Sequence, residues 1–305
     1  MSGGLDGYAD TASSDDERAT GWDLMNDTEL LDINFCITGA ASEIAGKYVI
    51  ENVAEFRKDC VAYISPQYED VVGSLTPITD TVTSRNTYGS SSYAFMDGNY
   101  KYQYDKYNDT YRWVPFNGDM AGVAAYTDFV EDPWYSPAGL NRGNIKNVTK
   151  LAFNPTKTQR DDLYREAVNP IVIFRGEGAV LFGDKTLQTK PSAFDRINVR
   201  RLFIVLEKAI STAAKYALFE FNDATTRNAF VTLIEPYLRD VKGRRGCYDY
   251  RVVCDETNNT ETVIDRNEFV GDIYIKPTRS INYVYLNFVA VASTVTFDEV
   301  LLNQG

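Results

Sequence analysis

Residues 169–221 read NPIVIFRGEGAVLFGDKTLQTKPSAFDRINVRRLFIVLEKAISTAAKYALFEF, and both kinds of regular structure meet in this span. Two short apolar runs, 171–174 and 179–182, flank the turn Arg175-Gly176-Glu177-Gly178. Runs rich in β-branched and aromatic residues, closed by glycines, predict a hairpin of strands. After a loop marked by Pro191, the spacing predicts a helix over 195–221. Leu202, Val205, Leu206, Ala209, Ile210, Ala213, Ala214 and Ala217 recur at helical period, while Arg200, Lys208, Ser211 and Lys215 fall on another side. The expected helix therefore has one apolar and one basic face. The Gly-x-Gly turn is a weak match to a phosphate loop, which needs a helix directly after the glycines so that its amides point at the anion. Here a strand comes next.

Working outward, the chain has 305 residues, 44% apolar and 24% charged, in keeping with a folded protein of one large or two ordinary domains. No apolar run approaches the length of a membrane span, and the first residues lack the pattern of a signal peptide. The net charge of -12 argues against nucleic acid as a general partner. There is no histidine, which excludes Ser-His and Cys-His nucleophiles and histidine metal sites. Cys36, Cys60, Cys247 and Cys254 form no Cys-x-x-Cys pair and read as free thiols of a reducing compartment. Cys247 and Cys254 are an odd number of residues apart, so a regular strand points them to opposite faces. The sequons at Asn26, Asn108, Asn147 and Asn258 then read as chance matches. Acidic pairs such as Asp255-Glu256 sit in turns without the central glycine of a calcium loop. No catalytic, cofactor or metal residue emerges.

Along the chain, residues 1–21 read as a polar loop, 30–37 as a strand, 41–59 as a helix with Ile44, Tyr48, Val49, Val53 and Phe56 on one face, and 60–64 as a buried strand. That β-α-β order predicts a parallel pair. Residues 73–92 read as a long Ser/Thr-rich loop. Tyr100, Tyr102, Tyr104, Tyr107, Tyr111 and Trp113 suggest a half-buried sheet face or a protein interface. Next come a helix over 117–131, a rigid loop over 132–143, a strand over 144–153 and a short helix over 155–167, with a soft boundary near Pro155. Beyond the opening span, a second long helix over 224–241 is capped by Asn222-Asp223. Strands are expected over 248–254, 269–275, 281–291 and 295–301, with a short helical turn over 263–267. The fold class expected is mixed α/β, or α+β. It has two packed subdomains, 1–155 and 156–305, the second a small mixed sheet flanked by two long helices with an extended terminal arm over about 294–305.

Several segments carry a resemblance in their order: GGLDG near the start, VPFNGDMAGVAAYTD (115–128), PWYSPAGLNRG (133–143), NPIVIFRGEGAVLFGDKT (169–186), FDRINVRRLFIVLEKAI (194–210), FEFNDATTRNAF (219–230), and RVVCDETNN through DIYIKPTRSINYVYLNFVAV (251–291). Together they resemble the C-terminal half of the tail sheath proteins of contractile-tailed bacteriophages of the T-even-like type. Members of that family carry outward-facing domains and an N-terminal arm upstream, outside these 305 residues. The resemblance implies a structural virion subunit, assembled in the host cytoplasm, without cofactor, enzymatic activity or membrane insertion. It implies hexameric rings stacked around a tail tube, with baseplate and tail-terminator proteins as further partners and contraction that drives the tube through the host envelope. It also implies terminal arms that add strands to neighbours' sheets. Val295, Phe297, Val300 and Leu301 are the expected donated strand, and Arg200, Lys208, Lys215, Arg244 and Arg245 the expected tube-facing basic surface. The alternatives are the sheath of a bacterial contractile injection particle, or a soluble α/β enzyme built on the Gly176–Gly178 turn.

Deleting residues 294–305 is expected to leave a folded monomer that no longer polymerises. Sheath formation by the truncated chain, seen by electron microscopy, overturns the arm assignment.

Overall fold

In a computed structural model that describes residues 14–282 and Val284, the first three strands form a parallel sheet in the order β1-β2-β3: Phe35–Ile37, Val61–Ile64 and Ala94–Met96. The predicted β-α-β unit is there. Its crossover runs as α-helix Glu43–Tyr48, π-helix Val49–Ala54 and α-helix Glu55–Arg57, and Lys58 ends it at φ 62°. The wider π turn rotates the residues after it relative to the 3.6 period. Val49, Ile50, Val53 and Ala54 are buried, while Ile44 and Phe56, expected on the inner face, are exposed.

Two stretches read as loops are helices. Residues 15–23 form one, started by a reciprocal cap between Ser14 and Glu17, the Ser-x-x-Glu signature of a helix N-terminus. Most of 73–92 is the helix Pro77–Thr87. Its proline stands in the first turn, where a missing N–H breaks no helical bond. Periodicity missed it because its fully buried residues are polar: Thr81, Ser84 and Arg85 are buried, and Arg85 donates to the carbonyls of Gly89 and Leu187.

The tyrosine segment forms a hairpin of β4 (Tyr100–Asp105) and β5 (Thr110–Pro115). The expected strand over 144–153 divides at Asn147, whose φ is 58°. Its pieces, β6 (Asn144–Ile145) and β7 (Lys150–Leu151), join different sheets: β7 pairs with β4, and β6 borders the second hairpin. That hairpin is β8 (Ile171–Phe174) against β9 (Gly178–Leu181), in register from Ile171↔Leu181 to Phe174↔Gly178. Gly176 and Gly178 take φ of 89° and 79°, which side chains with a Cβ rarely adopt, so the glycines serve the turn.

The parallel sheet has a core on each face. Val61, Tyr63 and Phe95 meet Met120 and Ala124 of the helix Asn117–Val130, then Ile171, Ala179 and Leu181 of the second hairpin, with Ile197 and Ile204 closing the cluster. On the other face Ala62, Ile64, Ala94 and Met96 meet Val49, Ile50, Val53, Leu163, Val168 and Leu187. Residues before and after Pro155 thus fill the same two cores, and no packing break falls there. A third core joins Trp134, Leu202 and Leu206 to Phe230, Ile234, Leu238 and Val241 of the helix Ala224–Gly243.

Against that third core lie β10 (Cys247–Val253) and β11 (Asp272–Pro277), an antiparallel pair and, among the described residues, the whole of the expected small sheet. A bulge between Cys247 and Asp249 inserts one residue, which restores the face that the odd spacing reversed. Cys247 and Cys254 are accordingly both buried. The strands expected over 281–291 and 295–301 lie outside the described residues, apart from Ile281, Asn282 and Val284, and so do Val295, Phe297, Val300 and Leu301.

Asp97, at the end of β3, is buried, accepting from Ser65 Oγ at 2.5 Å and from the Asn99 amide at 3.2 Å. Burial, reinforced by the Asp119 charge, pushes it up to about 8 from the ordinary 3.8. The native state therefore holds a proton that the unfolded chain releases, and stability falls as pH rises from 4 to 8. Asp97→Asn is expected to flatten that slope in thermal melts between pH 5 and 8. Identical slopes in variant and parent would falsify the assignment.

Candidate interaction surface

The helix Ile197–Ala214 organises the surface as well as the core. Its first turns are buried all round, through Asn198, Val199, Arg200, Arg201 and Leu202. Its second half buries one side only. It ends earlier than its apolar period suggests: a 3-10 turn Lys215–Ala217 comes next, Leu218 is extended, and Phe219 has φ 69°. Asp223 then caps the next helix by accepting from the Thr226 amide. The two helices run antiparallel, since Trp134 reaches both Asn198 at the start of the first and Arg244 at the end of the second.

The basic face expected on this helix is not one face. Arg200 is buried, its guanidinium lying 4.1 Å from the Tyr93 ring centroid and 4.0 Å from that of Phe194 and donating to Ser92 Oγ and Tyr93 Oη. A planar, weakly hydrated guanidinium tolerates such a slot. Lys208 donates to Asp32, Asn34 and the Ile33 carbonyl, tying the helix to the chain that leads into β1. Lys215, 64% exposed at its side chain, has a single 3.8 Å pairing with Glu29. Arg244 pairs with Asp132 and Asp240 and stacks on Trp134. Helical period identifies the side of a helix but says nothing about its neighbours, and neighbours enclose Arg200. Sequence reading passed over Arg201, which pairs with Asp128 through 2.5 Å contacts.

Arg245 turns into a cleft of about 1110 Å3, bounded by the loop after Trp134, the helix Lys157–Arg165, the edge of the second hairpin and the chain leaving β11. Buried Asp184 anchors that exiting chain. Its carboxylate accepts from Ser136 (2.9 Å), Tyr164 (2.9 Å), Ser280 (2.7 Å) and Asn282 (3.0 Å), with Arg196 at 3.6 Å. Nothing in the sequence pointed to Asp184, because its partners come from four separate segments.

Exposed apolar side chains gather at the far end of the helical pair, where Tyr216 is 80%, Phe219 105% and Phe221 84% exposed. On the β4–β5 hairpin, Tyr102 stacks on Tyr111 and meets Trp113 at a tilt beneath Lys150, while Tyr107 projects into solvent. Clustered exposed apolar groups mark contact surfaces. No group of three or more His, Cys, Asp or Glu is placed to hold a metal among the described residues, nor is any described helix long and apolar enough to cross a membrane.

Residues 34–187 match the family model of the phage tail sheath protein central domain, and residues 189–290 that of the phage tail sheath C-terminal domain. The chain is 49% identical over 319 aligned positions to the tail sheath protein of Enterobacteria phage T4, covering 98% of this chain and 48% of that protein. It is 48% identical over 317 positions to the tail sheath protein of Vibrio phage KVP40, covering 97% and 47%. It thus spans about half the length of these relatives. Among solved structures, the fold matches the contracted helical sheath of the anti-feeding prophage at 18% identity and TM-score 0.74, covering 92% of this chain and 76% of that one. It also matches the contracted PVC sheath complex of an extracellular contractile injection system at 20% identity and TM-score 0.72, covering 92% and 82%.

Asp184→Ala leaves its donors without an acceptor in a buried site. A loss of about 3 kcal/mol in denaturant unfolding is expected, with faster amide exchange confined first to residues 278–282. Unchanged stability would mean that the exit of β11 is held by something else.

Proposed function

The chain belongs to the phage tail sheath family, and from that premise we propose that it is a structural subunit of a contractile tail sheath, polymerising around a rigid tube and shortening to drive the tube forward. The observation that carries this reading is the 48–49% identity to phage tail sheath proteins over 97–98% of the chain. The phage relatives are much nearer in sequence than the injection-system sheaths at 18–20% identity, which favours a virion over an injection particle as the owner.

Two physical features suit the role. The β10–β11 pair has no third strand among the described residues, so its outer edges offer backbone groups to an added strand. Val295, Phe297, Val300 and Leu301 come soon after β11 in the sequence, and we assign them to a strand donated to a neighbour. The second feature is rigidity. Shared cores bind residues 34–206 together, so contraction would turn the subunit as a body while extended arms keep neighbours linked. The two family-model spans meet at 187–189, and we take that as the division between a central unit and a C-terminal unit.

For the inner tube, the expected basic surface reduces to Lys215, Arg244 and Arg245, all exposed, the first two with side chains 64% and 52% exposed. Screened contacts of this kind are individually weak, which suits a surface that must release.

Electron microscopy of the purified chain is expected to show hollow helical tubes of constant diameter. A protein that remains monomeric at high concentration, with and without tail tube protein, overturns the proposal. Reversing both Lys215 and Arg244 to Glu is expected to weaken co-assembly with tube protein about tenfold while tube-free polymerisation persists.

A further inference from the structure

The cleft beside Asp184 collects cations that the rest of the chain does not neutralise. Lys157, Arg245 and Arg279 form no side-chain hydrogen bond or ion pair among the described residues. Arg160 lies over the paired rings of Phe174 and Phe182, at 5.5 and 5.4 Å, and has no acidic partner either. Of the two carboxylates in the cleft, Asp184 is already saturated by four donors, and only Asp161 remains. This is a basic, aromatic-walled socket on a chain of net charge -12.

The complementary feature stands at the opposite end of the helical pair. In the segment 216–221, exposed Phe219 and Phe221 flank Glu220 in the sequence, and its carboxylate has no partner among the described residues. Asn198 and Arg245 place the socket at the start of the long helix. The loop comes after that helix's end, 18 residues on, or about 27 Å away at 1.5 Å per residue. A loop so far from the socket cannot fold back into it within one molecule.

We propose that the loop 216–221 of one copy docks in the cleft of a second copy, Glu220 meeting Lys157 and Arg279 while Phe219 and Phe221 pack on the apolar walls. This rests on the reading of the chain as a polymerising subunit, and names one contact that propagates the polymer. Knob and socket are different surfaces at opposite ends, so the contact is heterologous and repeats from copy to copy as a ring or helix. It also answers an electrostatic difficulty. Copies at -12 repel one another, and the cleft brings unneutralised cations to meet an acidic tip. The alternative occupant for the tip is the tail tube.

The test uses two independent readouts. A fluorescent peptide of residues 214–223, AKYALFEFND, is expected to bind the purified chain saturably. Glu220→Arg in the peptide, or Lys157→Glu with Arg279→Glu in the chain, should each weaken binding about tenfold, and the two reversals combined should restore it. All three side chains are exposed, so the fold has no part in the result. In the polymer, Glu220→Arg should abolish tubes, and adding the Lys157 and Arg279 reversals to the same chain should recover them. Absence of peptide binding, or binding indifferent to these charges, overturns the proposal even if tubes form. Peptide binding without tubes keeps the contact and removes the sheath reading instead. If Phe219→Ala/Phe221→Ala chains form normal tubes and lose only their affinity for tail tube protein, the tip belongs to the tube and the socket assignment falls.

Discussion

One helix must fit two hydrophobic cores at once, and much of the molecule is arranged to let it. Ile197 and Ile204 of the helix Ile197–Ala214 face the cluster beneath the parallel sheet, while Leu202 and Leu206 face the one beneath the C-terminal strands. A helix buried on all sides over its first turns leaves no solvent for its polar residues, so Asn198, Arg200 and Arg201 each need partners inside the protein. Trp134, Ser92, Tyr93 and Asp128 supply them. These partners come from the loops and helix that flank the sheet, so the helix ties the C-terminal unit to the central one through polar as well as apolar contacts. Packing of this kind resists relative movement of the two units, in keeping with the proposed role.

Charge is handled in a related way. The chain carries 31 basic and 43 acidic residues, and most of its buried or half-buried cations answer to acceptors within the fold. Arg57 gathers the carbonyls of Met25, Asp27 and Leu31 together with the Asp59 carboxylate, and Lys208 holds Asp32 and Asn34. Between them they hold residues 25–34 against the body, although that stretch exposes Met25 and Leu30. Four cations left without an acidic partner, Lys157, Arg160, Arg245 and Arg279, line the cleft beside Asp184. The surface left for recognition is therefore the remainder after the fold has met its internal electrostatic needs.

Element type was legible in the sequence wherever a segment's environment is simple. The 171–181 hairpin, the parallel β1–β2 pair and both long helices could be read from local patterns, because strands with one buried face and helices with one apolar stripe write their period into the residues. The helix Pro77–Thr87 was hidden because its fully buried residues are Thr81, Ser84 and Arg85, while its apolar Ile78 and Val82 are only half-buried against the core. Ile44 and Phe56 were misplaced because a π turn shifts the helical phase across the crossover. The Ser14–Glu17 cap shows that one missed helix did carry a readable signal, which the acidic composition around it masked.

The sequence alone determined the family, through segments spread in order along nearly the whole chain, and it determined that no histidine chemistry operates here. Tertiary structure alone decided which charges remain available. Arg200 and Arg245 look equivalent as letters, yet one is enclosed between two rings and the other opens into a cleft. Asp184 has no local motif, yet segments far apart in sequence converge on it. The reason is physical. Local pattern records what a residue prefers, whereas the availability of a charge depends on burial and on partners that only folding brings near.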